Sequence, residues 1–270
     1  MTDEERLRGY VDVWWQAVND FTDLLEGLAA DDWGRETDLP GWDVRCIAAH
    51  TAHLEAVLAG APEETVDIGE RAHASLIAAY TEQGVVARAQ AAPEDILDEI
   101  RESTTARHVA LLADPPRDAA ARPDILFGAL DWSWGTLLRN RVLDIWMHEQ
   151  DVRRAVDRPG NLHTAPAEHT SVYLAESLGF VVAKRVGAAP GTTVVLEVAG
   201  QPTTAVTVNA KGRGELLTEV PTSPDVTIST DRESFILLAG GRRTPAPGRV
   251  TLSGDTGLGQ RVLDLMAVTP

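Results

Sequence analysis

Apolar residues recur at steps of three and four through the first part of the chain: Leu7, Val11, Trp14, Val18, Phe21, Leu25 and Leu28. That spacing keeps them on one side of a helix and predicts a long first helix buried along that side. Leu39-Pro40-Gly41 reads as a turn. A second helix starts near Asp43, carries Ile47, Leu54 and Leu58, and stops before Gly60 and Pro62. A third helical pattern spans Ile68 to Val86. A fourth opens at Pro93, a favoured first helical position because its missing N–H has no partner there anyway. It carries Ile96, Ile100 and Leu111 up to the Pro115-Pro116 break. A fifth runs from about Gly135 to Val156, ahead of Pro159-Gly160, and a sixth from about Ala167 to Val186. Long helices with short connections predict an antiparallel bundle.

The pattern changes near position 187. Beyond it lie β-branched runs broken by Gly and Pro, and all seven tryptophans lie before it. Thr193 to Val198 and Thr203 to Ala210 read as strands around a Gly200-Gln-Pro202 turn, and Val226 to Thr230 as another. A short helix is capped by Asp231 and stopped by Gly240-Gly241. A strand from Arg249 to Ser253 and a last helix through Leu263 and Met266 complete a small α+β domain with a mostly antiparallel sheet. The expected domains are 1–187, helical, and 188–270, α+β.

The formal net charge is -17 over 270 residues. So acidic a chain repels nucleic acid and anionic membrane surfaces, and neither is expected as a partner. An anionic substrate would need local arginines. Cys46 is the single cysteine, so no intrachain disulfide forms and a Cys-rich zinc site is excluded. The charged start Met-Thr-Asp-Glu-Glu-Arg lacks an apolar signal core, and no apolar run is long enough for a bilayer. A soluble, cytoplasmic protein is expected, with monomer and homodimer both open.

Candidate chemistry lies on the second and fifth helices. At about 100° per residue, His50 falls about 60° from Ile47, beside the buried stripe, whereas His53 falls about 120° away, towards solvent. A lone inward histidine is more often a core residue satisfied by a carbonyl than a ligand. On the fifth helix, Asp144 and His148 share a face at i and i+4. With Arg141 and Asp151 they form a polar line beside the apolar face. Buried charge is costly unless it is paired or bound to a cation. The line therefore fits two readings: a divalent-metal site on His50, Asp144 and His148 with an open position, or an internal network of Arg141 with Asp144 and Asp151 with Arg154. Asp151 would orient a ligand in the first reading. Arg153 and Arg154 would grip a carboxylate or simply face water at the helix C-terminus. Cys46, one turn before His50, reads as a redox centre, a fourth ligand, a nucleophile or a small buried residue.

Two stretches carry a family resemblance. They are Leu39-Pro-Gly-Trp-Asp-Val-Arg45 leading to His50, and Arg139-Asn-Arg-Val-Leu-Asp-Ile-Trp-Met-His-Glu-Gln-Asp-Val-Arg153. They resemble the mycothiol-dependent maleylpyruvate isomerase family, whose N-terminal part is a DinB-like metal-binding four-helix bundle. Pro224-Asp-Val-Thr-Ile-Ser-Thr230 through Gly248-Arg-Val-Thr-Leu-Ser-Gly-Asp255 resembles its sterol-carrier-like C-terminal α+β module. The resemblance implies zinc on His50, Asp144 and His148, with Asp144 standing where the family often has Glu. It further implies mycothiol as thiol cofactor and a substrate-binding arginine in the second domain, for which Arg213, Arg242, Arg243 and Arg249 are the candidates.

The expectation is a metal- and mycothiol-dependent isomerase or S-transferase acting on a small anionic electrophile. Trp42 and Arg153 would contact the thiol cofactor, with Trp42 and Trp146 as pocket walls; both tryptophans fit plain bundle core equally well. The alternative is a non-catalytic metal-binding protein whose C-terminal domain carries an apolar ligand or a partner.

Overall fold

The computed structural model describes residues 1–69, 76–128 and 130–269. Helices α1 (Asp3–Glu26), α2 (Val44–Leu58), α3 (Leu76–Ala87), α4 (Pro93–Ala113) and α5 (Trp134–Ala155) make the first part. The N-terminal portion of the expected third helix, at 70–75, and His73 lie outside the described residues.

Side chains define the helix starts. Thr2 and Glu5 form a reciprocal capping box on α1. Asp43 accepts from the Cys46 N–H at 2.8 Å to start α2, and Ser133 accepts from the Thr136 N–H to start α5. α1, α2, α4 and α5 form the bundle: α1 packs on α4 and α5, and α2 packs on α4, α5 and α3. Leu7, Trp14, Phe21, Ile47, Ile100, Leu138 and Ile145 fill its core.

α3 approaches α2 closely through Gly84. A Cβ there would lie 2.4 Å from the His53 side chain, so only glycine allows the contact. This corrects the solvent-facing placement of His53. Its imidazole is buried, 1% exposed, because α3 covers that side of α2.

The chain divides into two compact units, Met1–Gly160 and Asn161–Pro270. The spatial break thus precedes the compositional one at 187. The segment between them carries α6 (Ala165–Ala175), α7 (Leu178–Phe180) and a π-helical turn at Val181–Arg185, where the sequence predicted a single helix. The interruption lies where backbone meets backbone: a Cβ on Gly214 would sit 2.0 Å from the Gly179 carbonyl oxygen. The strands are β1 (Thr193–Val198), β2 (Thr204–Val208), β3 (Gly214–Leu216), β4 (Val226–Thr230) and β5 (Val250–Gly254), in the order β3-β2-β1-β4-β5. β1 and β4 run parallel, and every other neighbouring pair is antiparallel. α8 (Arg232–Ala239) packs on α6, and α9 (Thr256–Asp264) on β4 and β5.

An apolar recess in this unit, lined by residues that include Leu178, Val181, Leu196, Phe235 and Met266, has a volume of only about 10 Å³, room for about one water molecule at most. Among the described residues no helix is long and apolar enough to cross a membrane.

Candidate metal centre

The turn before α2 positions Trp42. Gly41 takes φ +82°, a conformation glycine adopts without penalty. The Trp42 carbonyl then accepts from the Thr37 N–H and hydroxyl, and its indole N–H donates to Glu82 on α3 at 3.2 Å. The ring is thereby set over two imidazoles, with its centroid 5.2 Å from that of His50 and 6.1 Å from that of His148.

His50 comes from α2, and Asp144 and His148 from α5. One ligand atom from each lies within 4.8 Å of the others, and this trio is the one such cluster of His, Cys, Asp and Glu among the described residues. His50 Nε2 stands 3.4 Å from Asp144 Oδ2, and His148 Nε2 3.6 Å from Asp144 Oδ1. Donors bound at ~2.0–2.1 Å to a tetrahedral ion are about 3.3 Å apart, and these two separations, one to each oxygen of Asp144, are close to that. Both histidines are buried, while the Asp144 side chain keeps 22% exposure.

The electrostatics suit the same use. Burial lowers the pKa of His50, and this outweighs the pull of Asp144 in the other direction; His50 is held neutral, with a lone pair to give. Burial alone would raise the pKa of Asp144. Arg141, and then the two imidazoles, hold it well below the usual carboxylate range. His50 Nδ1 is buried without a hydrogen-bond partner. His148 Nδ1 meets Asp151 Oδ2 at 3.3 Å, the arrangement that fixes the tautomer of a metal-binding histidine. Asp151 is in turn held by Arg154 at 2.5 Å, and Arg154 also donates to Asp38 at 2.6 Å.

The pairs of the network reading, Arg141–Asp144 and Asp151–Arg154, exist, and they surround the converging trio rather than replace it. Arg153 is turned elsewhere: about 140° round the helix from His148, it donates to Glu149 at 2.6 Å. Trp146 is fully buried, about 160° round the helix from His148. Cys46 is half-buried and is not among the converging atoms. Of the second-domain arginines, Arg213, Arg243 and Arg249 are exposed, and Arg242 donates to the Gly240 carbonyl at 2.6 Å.

The sequence reading missed the carboxylate behind the site. Glu55 on α2 is fully buried. It accepts from Arg141 Nε at 2.9 Å, Arg107 Nη1 at 2.8 Å and Trp14 Nε1 at 3.3 Å.

His53 is a separate group with a testable pH signature. Burial is the main cause that lowers its pKa, from 6.5 to about 4, and the Arg88 charge adds to it. Between those values the unfolded chain holds a proton that the folded one does not. The stability that follows from a neutral His53 is complete above pH 6.5 and is lost as pH falls towards 4, at most about 3 kcal/mol. Urea unfolding of metal-free protein at neutral and mildly acidic pH should show this fall. His53→Asn should make it shallower, His50, whose pKa burial also lowers, contributing to what is left, and an unchanged slope in that variant would remove His53 as a source.

Comparison with known proteins adds the following. A family model described as the mycothiol maleylpyruvate isomerase N-terminal domain matches residues 14–153, and the corresponding C-terminal domain matches 168–261. A crystal structure of a mycothiol-dependent maleylpyruvate isomerase aligns with 94% of this chain and 95% of its own, at 18% identity and a TM-score of 0.53. The structure of a mutant form of such an isomerase aligns over the same shares, at 18% identity and a TM-score of 0.51. At that identity the likeness establishes the fold. No curated protein matches the chain in sequence.

Proposed function

The chain belongs to the mycothiol maleylpyruvate isomerase family, and from that premise we propose that it is a metal-dependent enzyme using the thiol of mycothiol to isomerise, or to be transferred to, a small anionic electrophile. The observation that carries the reading is the meeting of His50, Asp144 and His148 from two helices distant in sequence, within the part of the chain that matches the family's N-terminal domain.

In this reading the three side chains hold a divalent cation, zinc by donor set and spacing. The cation supplies one thing: it lowers the pKa of a thiol, ordinarily ~8.5, so that thiolate is available at neutral pH. The rest falls to the protein. Asp151 keeps His148 in one tautomer and orientation. Arg141 keeps Asp144 ionised. Trp42 walls the site and limits water, and the 22% exposure of Asp144 leaves an approach. The thiolate sulfur would add to one carbon of a carbonyl-conjugated C=C, the π pair moving to the carbonyl oxygen as an enolate. Rotation about the resulting single bond, return of the pair and expulsion of the thiolate give the isomer; protonation of the enolate at carbon by solvent instead leaves the thioether as the product of transfer. Arg154, which already reaches the site through Asp151, is better placed than Arg153 to meet an anionic group.

The test combines metal analysis with a maleylpyruvate assay in the presence of mycothiol. About one equivalent of metal per chain is expected, with turnover that a chelator abolishes and added zinc restores. A full equivalent of metal without any thiol-dependent turnover would favour a non-catalytic metal-binding protein instead.

A further inference from the structure

Resting on the reading of His50, Asp144 and His148 as a metal site, we infer that Asp38 and Arg154 are positioning residues: through them the loop that carries Trp42 reaches Asp151 and sets the His148 ring from outside its own helix.

Each contact in this line uses a different atom. Asp151 turns Oδ2 to His148 Nδ1 at 3.3 Å, and its Oδ1 accepts from Arg154 Nη2 at 2.5 Å. Arg154 donates from another nitrogen, Nε, to Asp38 Oδ2 at 2.6 Å. The line therefore holds while His148 Nε2 stays turned to the site, 3.6 Å from Asp144 Oδ1. It is also sheltered. The Asp151 side chain is fully buried, and those of Arg154 and Asp38 are 8% and 15% exposed, so solvent does little to loosen the pairs.

Asp38 supplies what α5 alone lacks. Arg154 is the penultimate residue of α5, and helix ends fray. An arginine there would ordinarily swing into water beside the negative end of the helix dipole. The loop before α2 prevents this. It is closed by a bridge between Glu36 and Asp43 and by the bonds of Thr37 to the Trp42 carbonyl. Arg35, just before it, donates to the Ala155 carbonyl at 3.1 Å and ties the loop to the same helix end. Held by Asp38 through one nitrogen and by Asp151 through another, the planar guanidinium of Arg154 keeps one orientation. The same loop sets the Trp42 ring 6.1 Å from the His148 ring. One loop thus bounds His148 twice, directly through Trp42 and indirectly through three linked side chains.

The consequence is a fixed tautomer. Arg154 supplies the counter-charge for a fully buried carboxylate, and an ionised carboxylate can only accept a hydrogen bond. Its contact puts the ring proton on Nδ1 and leaves the Nε2 lone pair for a cation. An Asp151 free to turn would no longer hold the ring in that form.

The experiment measures zinc affinity on the full chain by competition with a chromogenic chelator, for wild type, Asp38→Asn, Arg154→Lys, Asp151→Asn and the double variant of Asp38→Asn with Asp151→Asn. Nitrogen-15 NMR of the histidine rings in metal-free protein accompanies it. Lysine keeps the positive charge beside Asp151 but cannot bridge two carboxylates. Zinc affinity should fall about tenfold in Arg154→Lys, the lower end of the cost of disturbing an outer partner of a metal-binding histidine, and somewhat less in Asp38→Asn. Asp38→Asn should cost almost nothing once Asp151 is replaced, because it acts through that carboxylate. In metal-free wild type the His148 proton should sit on Nδ1, and Arg154→Lys should show a mixture of tautomers. A purely structural role would lower the unfolding midpoint and leave the tautomer and the zinc affinity of folded protein unchanged, or make the loss in Asp38→Asn the same with and without the Asp151 carboxylate; either result overturns the inference. If Arg154→Lys does not fold, the comparison of Asp38→Asn with the double variant decides. Wild type that binds no zinc, yet shows the Nδ1–H tautomer that Arg154→Lys loses, would sink the metal reading beneath the inference and leave the bracing of His148 in place.

Discussion

His148→Ala is expected to lose its metal, with affinity falling by more than about 100-fold, and thiol-dependent turnover should vanish with it. The proposed site has three protein donors, and four-coordinate zinc needs at least that many beside an open position. Removing one leaves His50 with a carboxylate that Arg141 already shares at 2.9 Å. No neighbouring donor can step in, since the described residues bring no fourth His, Cys, Asp or Glu into the cluster. Asp151→Asn offers a graded comparison. It removes only the charge behind His148 Nδ1, and loss of such a partner typically costs about 10–100-fold in metal affinity. The two variants should therefore rank as severe and intermediate in chelator competition. Retention of a full metal equivalent by folded His148→Ala would end the assignment of this residue as a ligand.

The trio was legible in the sequence because two simple rules agree on it. The i, i+4 spacing places Asp144 and His148 on one face, and the helical wheel puts His50 beside the stripe led by Ile47. The four bundle helices were legible for the same reason: their apolar residues keep the helical period and become the core. What escaped depends on neighbours rather than on period. His53 looked exposed on its own helix, and only the close approach of α3 at Gly84 buries it. The edge strand β3 is three residues long with Glu215 and Leu216 exposed, too short to show alternation. The break within the expected sixth helix follows a backbone contact between Gly179 and Gly214 that no local pattern encodes.

Glu55 lies about 80° from Ile47 on its wheel, beside the buried stripe, and nothing on its own helix marks it. A signal did exist on the fourth helix. Arg107 lies seven residues after Ile100 and four before Leu111, squarely on the buried stripe, where a charge demands a partner. The sequence shows that a carboxylate must lie opposite Arg107. It does not show which acid among 41 Asp and Glu supplies it.

Glu55→Ala is accordingly expected to be the most destabilising single change, at about 3–5 kcal/mol, the usual cost of stripping the partner from a buried charge. The carboxylate sits among Arg107, Arg141 and the Trp14 indole, all of them buried. Burial alone would raise its pKa, but Arg107 and then Arg141 lower it below the usual range, so the group that is lost is an ionised one. Its removal leaves two guanidinium groups facing each other without an acid between them. Denaturant titration followed by tryptophan fluorescence is the appropriate measurement, because all seven tryptophans lie within Met1–Gly160 and report on that unit. A loss below about 1 kcal/mol would show that water or a neighbouring group replaces the carboxylate. A triple variant separates the charges from the packing: Glu55→Leu with Arg107→Met and Arg141→Met should recover most of the lost stability, since apolar packing often matches or exceeds a buried ion network. A folded triple variant no more stable than Glu55→Ala would show that the network contributes something apolar side chains cannot replace at these positions.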